Sequence, residues 1–274
     1  MNASWLKKSR DGIEYLEYSP DSRLLLAFFT RRGGVSQGEF ESLNTSFAVG
    51  DDAHNVEENL TRVRRALKLP AILTVKQTHS DEVLAIADEL VPSETLEGDA
   101  CFTGRVGLGL GLKVADCLPV YIYAENMSCV GIAHCGWRGT VARLAEKTAR
   151  QMSSHFSVPL TNLRFALGPC ICPHCYEIGE DVRREFRKTF PDPDQFFAPV
   201  TTTATVRQSP FVTRHSPLAK YLLDIRDANR WLLAELGLTE THGIELCTRE
   251  NEELFYSARR DKTTGRNLAV IALR

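Results

Sequence analysis

The sequence predicts an α/β fold built from layered, mixed β-sheets with flanking helices. Short apolar segments with the character of buried strands occur along the whole chain, interspersed with amphipathic helical segments. Several of the strand segments follow one another with no helix between them, which favours mixed sheets over a regular doubly wound sheet. We therefore expect functional side chains at strand ends, where distant parts of the chain meet.

The individual elements follow from local patterns. The apolar run LLLAFF within 22–30 predicts a buried strand that ends at paired glycines, whereas helical spacing of Val56, Leu60, Val63 and Leu67 predicts a helix ended by Pro70. A proline-containing stretch, 191–217, is expected to be a mobile loop. By the same criteria, further strands are predicted at 71–75, 82–86, 106–114, 120–123, 129–133, 163–167, 244–247 and 267–273, and helices at 55–69, 140–152, 181–190 and 219–236.

The amino-acid composition is that of an ordinary globular protein. Its 274 residues, 43% hydrophobic and 25% charged, can bury a substantial core without disulfides, and no convincing linker divides them, so one domain over 1–274 is expected. The net charge of −2 gives no general attraction to nucleic acid or to a membrane, which leaves a small-molecule partner. Without a signal-like or membrane-spanning segment, we expect a cytoplasmic monomer.

Two residues at the ends of apolar strands are candidates for chemistry. Cys117 follows one such strand and His134 ends another. A nearby imidazole can lower the pKa of a thiol and produce a thiolate, the form that acts as nucleophile or metal ligand. Spacing alone does not distinguish a Cys-His hydrolase from a metal site.

His79 is a candidate third member of this group, because it also follows an apolar strand. One thiolate and two imidazoles leave the fourth tetrahedral position of a zinc ion open, the pattern of catalytic rather than structural zinc. The soft thiolate also suits copper(I). The residues thus suggest a zinc site, with copper as the alternative.

Short motifs occur in a fixed order almost from end to end of the chain: FTRRGGVS (29–36), KQTH (76–79), ADCLP (115–119), AHCGWRG (133–139), GPCI (168–171), CYE (175–177) and TGR (264–266). In these motifs the chain resembles the YfiH family, also called the laccase-domain or polyphenol oxidase family, whose members are regarded as purine nucleoside phosphorylases. The resemblance implies that His79, Cys117 and His134 are the metal ligands. It also implies layered sheets similar to those of Cys-His toxin hydrolases.

Other residues within the motifs are candidates for substrate binding. Arg31 can hold a phosphate through bidentate contacts, and the amides of Asn44 and Gln77 suit ribose hydroxyls or a purine edge. Asp116 is expected to orient a metal ligand, and Arg138 to pair with Asp116 or bind an anion.

The segment containing Cys170, Cys172 and Cys175 is richer in cysteine than the family pattern. Its close spacing is typical of metal-binding tracts, but a site with four ligands also needs a suitable turn. We therefore expect unliganded thiols here, with a second metal site as the alternative.

The function expected from the resemblance is metal-dependent phosphorolysis, in which adenosine or inosine and phosphate give the free base and ribose 1-phosphate. Adenosine deaminase and methylthioadenosine phosphorylase activities are implied as well. One alternative is a copper polyphenol oxidase, although the sequence lacks several His-rich copper motifs. Another is a Cys-His amidohydrolase that edits peptidoglycan precursors, with Cys117 as nucleophile and His134 as base. A non-catalytic binding module is the least favoured hypothesis.

Overall fold

The computed structural model describes residues 4–87, 96–200, 220–241 and 243–274. The strands are β1 (Leu6–Arg10), β2 (Ile13–Tyr18), β3 (Leu24–Phe29), β4 (Ala71–Thr74), β5 (Val83–Ala85), β6 (Ala100–Thr103), β7 (Leu108–Val114), β8 (Leu118–Ala124), β9 (Val130–Cys135), β10 (Leu163–Leu167), β11 (Glu177–Gly179), β12 (Phe197–Pro199), β13 (Lys220–Leu223), β14 (Thr239–Glu240) and β15 (Asn267–Leu273). The helices are α1 (Ala53–Leu67), α2 (Trp137–Val141), α3 (Leu144–Phe156), α4 (Glu180–Thr189) and α5 (Ile225–Ala234).

The strands form two six-stranded mixed sheets and one small antiparallel sheet. The first sheet has the order β1-β2-β3-β15-β7-β4, and only β4 and β7 pair in parallel. The second has the order β14-β10-β8-β9-β6-β5, with parallel pairs at its two edges. The small sheet is β11-β13-β12. The predicted fold class is confirmed.

The two large sheets pack face to face, and helices cover their outer faces. Alternation along β8 shows this arrangement: Tyr121 and Tyr123 point into the core shared with the first sheet, whereas Val120 and Ile122 point towards the helices. The hydroxyl of Tyr121 donates to the carbonyl of Ala27 across the two sheets at 3.0 Å. Helix α1 packs on the outer face of the first sheet, and α3 and α5 pack on the second.

Three predicted elements differ from the structure. The predicted helix at 219–236 is a strand, β13, followed by the shorter helix α5, because Asp224 caps the helix by accepting from the amide of Asp227. The predicted helix at 140–152 is interrupted at Arg143, whose φ of 58° is left-handed and separates α2 from α3. The segment 244–247 is not a strand and makes only one bridge, from Cys247 to Cys170.

Two further expectations concern the predicted mobile loop and membrane-spanning segments. Most of the predicted mobile loop, 201–217, lies outside the described residues, and its beginning contains β12. Within the described ranges, no helix combines the length and the apolar character needed to cross a membrane.

Candidate active site

The structure brings His79, Cys117 and His134 together at one end of the second sheet. Their donor atoms all lie within 4.8 Å of one another, and the two imidazole centroids are 5.0 Å apart. Cys117 immediately precedes β8 and His134 lies in β9, and the antiparallel pairing of these strands makes the two residues neighbours. His79 follows β4 of the facing sheet. We call these residues the triad.

The ring of His134 has a fixed orientation. Its Nδ1 lies 2.8 Å from Asp99 Oδ1, and both side chains are buried. With Nδ1 engaged, Nε2 is the nitrogen left for the centre of the triad. Burial opposes charge on His134, but the neighbouring Cys117 thiolate and the Asp99 carboxylate raise its pKa to about 9.

Cys117 is polarised towards its thiolate form. Burial opposes ionisation of the thiol, but His134 and His79 outweigh that effect and lower the pKa of Cys117 to about 6. A thiolate is the form that binds metals. The sulfur therefore meets the chemical requirement for a ligand.

Asp99 also orders the loop that presents His79. Its Oδ2 accepts hydrogen bonds from the Thr78 amide at 3.0 Å, the Ser80 amide at 2.7 Å and the Ser80 hydroxyl at 2.9 Å. Between these donors, His79 adopts a left-handed φ of 59°, which is uncommon for a non-glycine residue. Burial opposes ionisation of Asp99, but its contacts with His134 and Ser80 lower its pKa to about 2. Sequence reasoning assigned no role to this residue.

Gly136 provides space for the Cys117 sulfur. A Cβ atom at this position would lie 2.8 Å from Cys117 Sγ and 3.9 Å from Cδ2 of His79. Carbon and sulfur cannot approach so closely without displacement of one of them. The position of the Cys117 side chain therefore requires glycine at position 136, the first of the two glycines in the AHCGWRG motif.

Asp116 stabilises the backbone next to Cys117. The residue adopts a φ of 93°, and its carboxylate accepts from the Thr248 hydroxyl at 2.7 Å and from the Arg259 amide at 2.6 Å. These bonds hold the backbone that precedes Cys117, and the predicted role of orienting a metal ligand stays a prediction. The predicted pairing with Arg138 is not what the structure shows: the Arg138 side chain is exposed and stacks on Trp137, with Cζ 4.4 Å from the ring centroid.

The triad lines a cavity of about 450 Å³, large enough for a small organic molecule. Three cationic residues, Lys113, Arg266 and Lys76, line the same cavity, together with Ser46 and several apolar residues. Of these, Lys76 is paired with the carboxylate of Glu97. Burial lowers the pKa of Lys113 to about 8 and also lowers the pKa of Arg266. Sequence reasoning missed both cations, although Arg266 lies in the TGR motif.

The predicted substrate-binding residues lie at different distances from this cavity. Gln77 lines it, but its amide oxygen and nitrogen each bond to the backbone of Lys113 at 2.8 and 2.9 Å. Arg31 lines a separate pocket, where its guanidinium donates to the carbonyls of Glu41 and Glu252. A direct contact of Arg31 with a ligand in the triad cavity has no support in this arrangement.

Asn44 is fully buried beneath the cavity. Its amide nitrogen donates to the Ser46 carbonyl and to Asp51, while its oxygen accepts from the amides of Ser46 and Arg266. These four bonds use the whole hydrogen-bonding capacity of the side chain. Asn44 therefore positions two cavity residues, in place of the direct substrate contact predicted from the sequence.

The donors of the triad fit a metal ion. Zinc typically binds imidazole nitrogen at about 2.0 Å and thiolate sulfur at about 2.3 Å, in tetrahedral sites that place ligand atoms closer together than 4.8 Å. Small side-chain rotations suffice to close the triad around an ion. The donors come from three separate segments and border an open cavity, as expected of a site with a free coordination position.

A family model described as multi-copper polyphenol oxidoreductase laccase matches residues 25–274. The chain belongs to this family. The resemblance inferred from the motifs is thereby confirmed.

Similar proteins include named enzymes. Purine nucleoside phosphorylase YfiH of Escherichia coli is 34% identical over 245 residues, covering 89% of this chain and 91% of that protein. Adenosine deaminase RL5, from an unknown prokaryotic organism, is 30% identical over 260 residues, covering 90% and 93%. The crystal structure of YlmD from Geobacillus stearothermophilus superposes with a TM-score of 0.84 at 30% identity and covers 99% of both chains.

Proposed function

We propose that this protein is a metal-dependent purine nucleoside phosphorylase that converts adenosine or inosine and phosphate into the free base and ribose 1-phosphate. The observation that supports this most directly is the presence of the triad and two cations, Lys113 and Arg266, in a single cavity. Phosphorolysis needs a site for an anion beside a site for the nucleoside, and we propose that this cavity combines them. The name of the Escherichia coli relative agrees with the proposal.

Lys113 and Arg266 are suited to binding the phosphate. Nη1 of the Arg266 guanidinium donates to the carbonyls of Thr264 and Gly265, and its remaining N–H groups would form paired contacts with phosphate oxygens. Lys113 would add a compact charge. The Arg266 backbone amide is held by Asn44, which fixes the segment that carries the guanidinium. Because both cations are partly withdrawn from water, their attraction for an anion is less screened than at an exposed surface.

The triad would hold the metal ion, which we propose to be zinc. When bound, zinc would act as a Lewis acid that polarises an oxygen of a substrate. The chain itself fixes the positions of the donors: Asp99 orients His134 and orders the loop of His79. Apolar residues along the cavity, including Val49 and Val75, are suited to the faces of a purine.

The test is incubation of the purified protein with adenosine or inosine in phosphate buffer, followed by chromatographic analysis of bases. We expect release of adenine or hypoxanthine together with ribose 1-phosphate. The Cys117→Ala variant should lose this activity, and Arg266→Gln should mainly raise the KM for phosphate. An exposed cation far from the cavity, Arg65, provides the matched control as Arg65→Gln. Absence of free base above the level of Cys117→Ala would refute the proposal.

Adenosine deamination is a second candidate, favoured by the name of the relative RL5. The same cavity would bind adenosine, with the exocyclic amine directed to the triad. Deamination consumes water and not phosphate, so inosine should form when phosphate is omitted. Methylthioadenosine cleavage is a further proposed activity, and it should depend on phosphate in the same way as adenosine phosphorolysis.

Copper-dependent oxidation is less well supported by this chain than its family description suggests. Four-electron reduction of oxygen needs several copper ions with many histidine ligands. The chain has seven histidines, and three of those that the structure describes, His54, His155 and His174, are exposed and outside the triad. Oxidation of a phenol that requires added copper would favour this alternative.

The amidohydrolase alternative makes a different prediction about Cys117. In that mechanism Cys117 would attack the amide carbon and His134 would act as base. Metal bound to the sulfur would compete with this attack, so a chelator should increase amidase activity. The phosphorylase proposal predicts the opposite response, a loss of nucleoside cleavage on chelation.

A further inference from the structure

A second group of sulfur ligands lies outside the triad cavity. Cys172, Cys175 and Cys247, together with Glu250, place one donor atom each within 4.8 Å of one another. Cys175 and Cys247 are buried, Cys172 is partly buried and Glu250 is exposed. We infer that these four residues bind a second metal ion, a zinc ion by the nature of their donors, in a structural site distinct from the triad.

The backbone gives each pair of ligands the spacing of a zinc site. Cys172 and Cys175 are separated by two residues, and a single 3₁₀ turn brings them together as the Cys175 amide donates to the Cys172 carbonyl at 3.0 Å. Cys247 and Glu250 have the same separation, closed by a bond from the Asn251 amide to the Cys247 carbonyl at 3.2 Å. Paired ligands at this spacing on two loops are typical of structural zinc sites.

Hydrogen bonds also hold the two loops against each other. The Cys172 amide donates to Cys247 Sγ at 3.3 Å. Next to it, the Thr248 amide donates to the Cys170 carbonyl at 3.0 Å. The two ligand pairs are therefore brought together by a backbone hydrogen bond and by the contact of the Cys172 amide with the Cys247 sulfur.

The distances suit zinc after small movements. In a tetrahedral site with Zn–S bonds of about 2.3 Å, two sulfurs lie about 3.8 Å apart, and a sulfur and an oxygen about 3.6 Å. The Cys175 sulfur lies 3.5 Å from Glu250 Oε1, and no donor pair exceeds 4.8 Å. Side-chain rotations that move the donor atoms by about 1 Å would complete the tetrahedron. All four positions would then be filled by protein, which is the pattern of a structural site.

The structure modifies the expectation of unliganded thiols in this segment. Cys170 agrees with it, because its sulfur contacts the Arg226 guanidinium at 3.3 Å and is not part of the group. For Cys172 and Cys175, the geometry favours a metal site instead. The remaining ligands, Cys247 and Glu250, are distant in sequence from Cys172 and Cys175. The segment around these two cysteines alone therefore contains too few donors to predict a site with four ligands.

The site would stabilise the backbone beside the triad. The Ile171 amide donates to the Asp116 carbonyl at 3.0 Å, and the Thr248 hydroxyl donates to the Asp116 carboxylate at 2.7 Å. Ile171 precedes one ligand and Thr248 follows another. A metal ion that ties the two loops together would therefore fix Asp116, the neighbour of Cys117, from two sides.

Metal analysis of the purified protein tests the inference. After expression with zinc, the wild type should contain about two zinc ions per chain, and Cys117→Ala about one. The double variant Cys172→Ser/Cys247→Ser should also retain about one. Cys170→Ser, which alters a buried thiol outside the group, should retain two. A wild type with about one zinc ion, removed by Cys117→Ala, would overturn the inference.

Cobalt provides a measurement independent of enzymatic activity. Metal-free Cys117→Ala, reloaded with Co²⁺ under reducing conditions, should show thiolate-to-cobalt absorption, since only the proposed site then contributes thiolates. Adding Cys172→Ser should remove this absorption. Absence of the absorption in Cys117→Ala, or a Cys172–Cys175 disulfide in the freshly purified wild type, would overturn the inference.

A milder variant guards against misfolding of the cysteine variants. Glu250→Gln, in the Cys117→Ala background, keeps all three thiols and alters an exposed side chain. We expect a native circular dichroism spectrum with weaker cobalt binding, because a neutral amide is a poorer ligand than a carboxylate. Unchanged cobalt affinity would overturn the four-ligand site. These readouts do not depend on nucleoside cleavage, so they can fail or succeed separately from the proposed function.

Discussion

Replacement of Asp99 by Asn tests how the triad is assembled. The carboxylate uses Oδ1 for His134 Nδ1 and Oδ2 for three donors of the loop 78–80. An amide has only one acceptor oxygen, so Asp99→Asn cannot satisfy both sides. If the amide NH₂ faced the loop, it would leave three partly buried donors unsatisfied, at a cost of up to about 1–3 kcal/mol each. The oxygen should therefore remain on the loop and the NH₂ should face His134.

That orientation changes the tautomer of His134. With a donor opposite Nδ1, this nitrogen must act as acceptor, and the proton of the neutral ring moves to Nε2, the nitrogen that faces the triad. A protonated nitrogen does not bind a metal. Loss of such a supporting contact typically lowers metal affinity about 10- to 100-fold, equivalent to about 1.4–2.7 kcal/mol.

Competition with a chromophoric zinc chelator measures this affinity, and urea unfolding verifies the fold. The Cys172→Ser/Cys247→Ser background restricts the measurement to the triad. Ser80→Ala is the matched control, because it removes one donor to Asp99 and leaves the contact with His134 intact. Zinc affinity of a folded Asp99→Asn variant equal to that of the wild type would refute the reasoning.

Three further predictions concern other parts of the site. Gly136→Ala should lower metal content and activity, because its Cβ would lie 2.8 Å from Cys117 Sγ while a φ of −67° accepts alanine; wild-type metal content would contradict this. The KM for phosphate should rise as the pH passes about 8, because burial lowers the pKa of Lys113 to about 8 and the neutral amine attracts anions less. Lys113→Arg should move this rise to higher pH. An unchanged pH profile in this variant would exclude a role of Lys113 in phosphate binding. Thr248→Val should lower the free energy of unfolding in urea by about 1–3 kcal/mol, since the buried Asp116 carboxylate loses its 2.7 Å hydrogen bond; equal stability would argue against this contact.

The sequence predicted best those strands that are buried on both faces. Strand β3 is apolar throughout, β15 is apolar after Asn267, and both are fully buried, so their composition alone marks them. Strand β1, with the sequence LKKSR, is exposed along its length and carries no hydrophobic signal. The sequence predicts one helix over β13 and α5 because the apolar residues of the strand run directly into an amphipathic helix, and only the capping residue Asp224 marks the boundary.

The triad was predictable because its residues stand at the ends of apolar strands within recognisable motifs. The roles of Asp99 and Asn44 were not, because they depend on which buried atoms face each other after folding. Both residues are polar and fully buried, and such residues exist only where partners satisfy them. A sequence shows neither their burial nor their partners.

The connection between β7 and β8 explains why the triad, Lys113 and Arg266 share one cavity. Lys113 belongs to β7 in the first sheet, and Cys117 precedes β8 in the second, so the chain crosses between the sheets within this short segment. The left-handed conformation of Asp116 makes the crossing, and Thr248 and Arg259 fix its carboxylate. Arg266, which precedes β15, joins the cavity from the first sheet. The packing of the two sheets therefore sets the distance between the triad and these two cations, and changes at Asp116 should disturb the positions of both together.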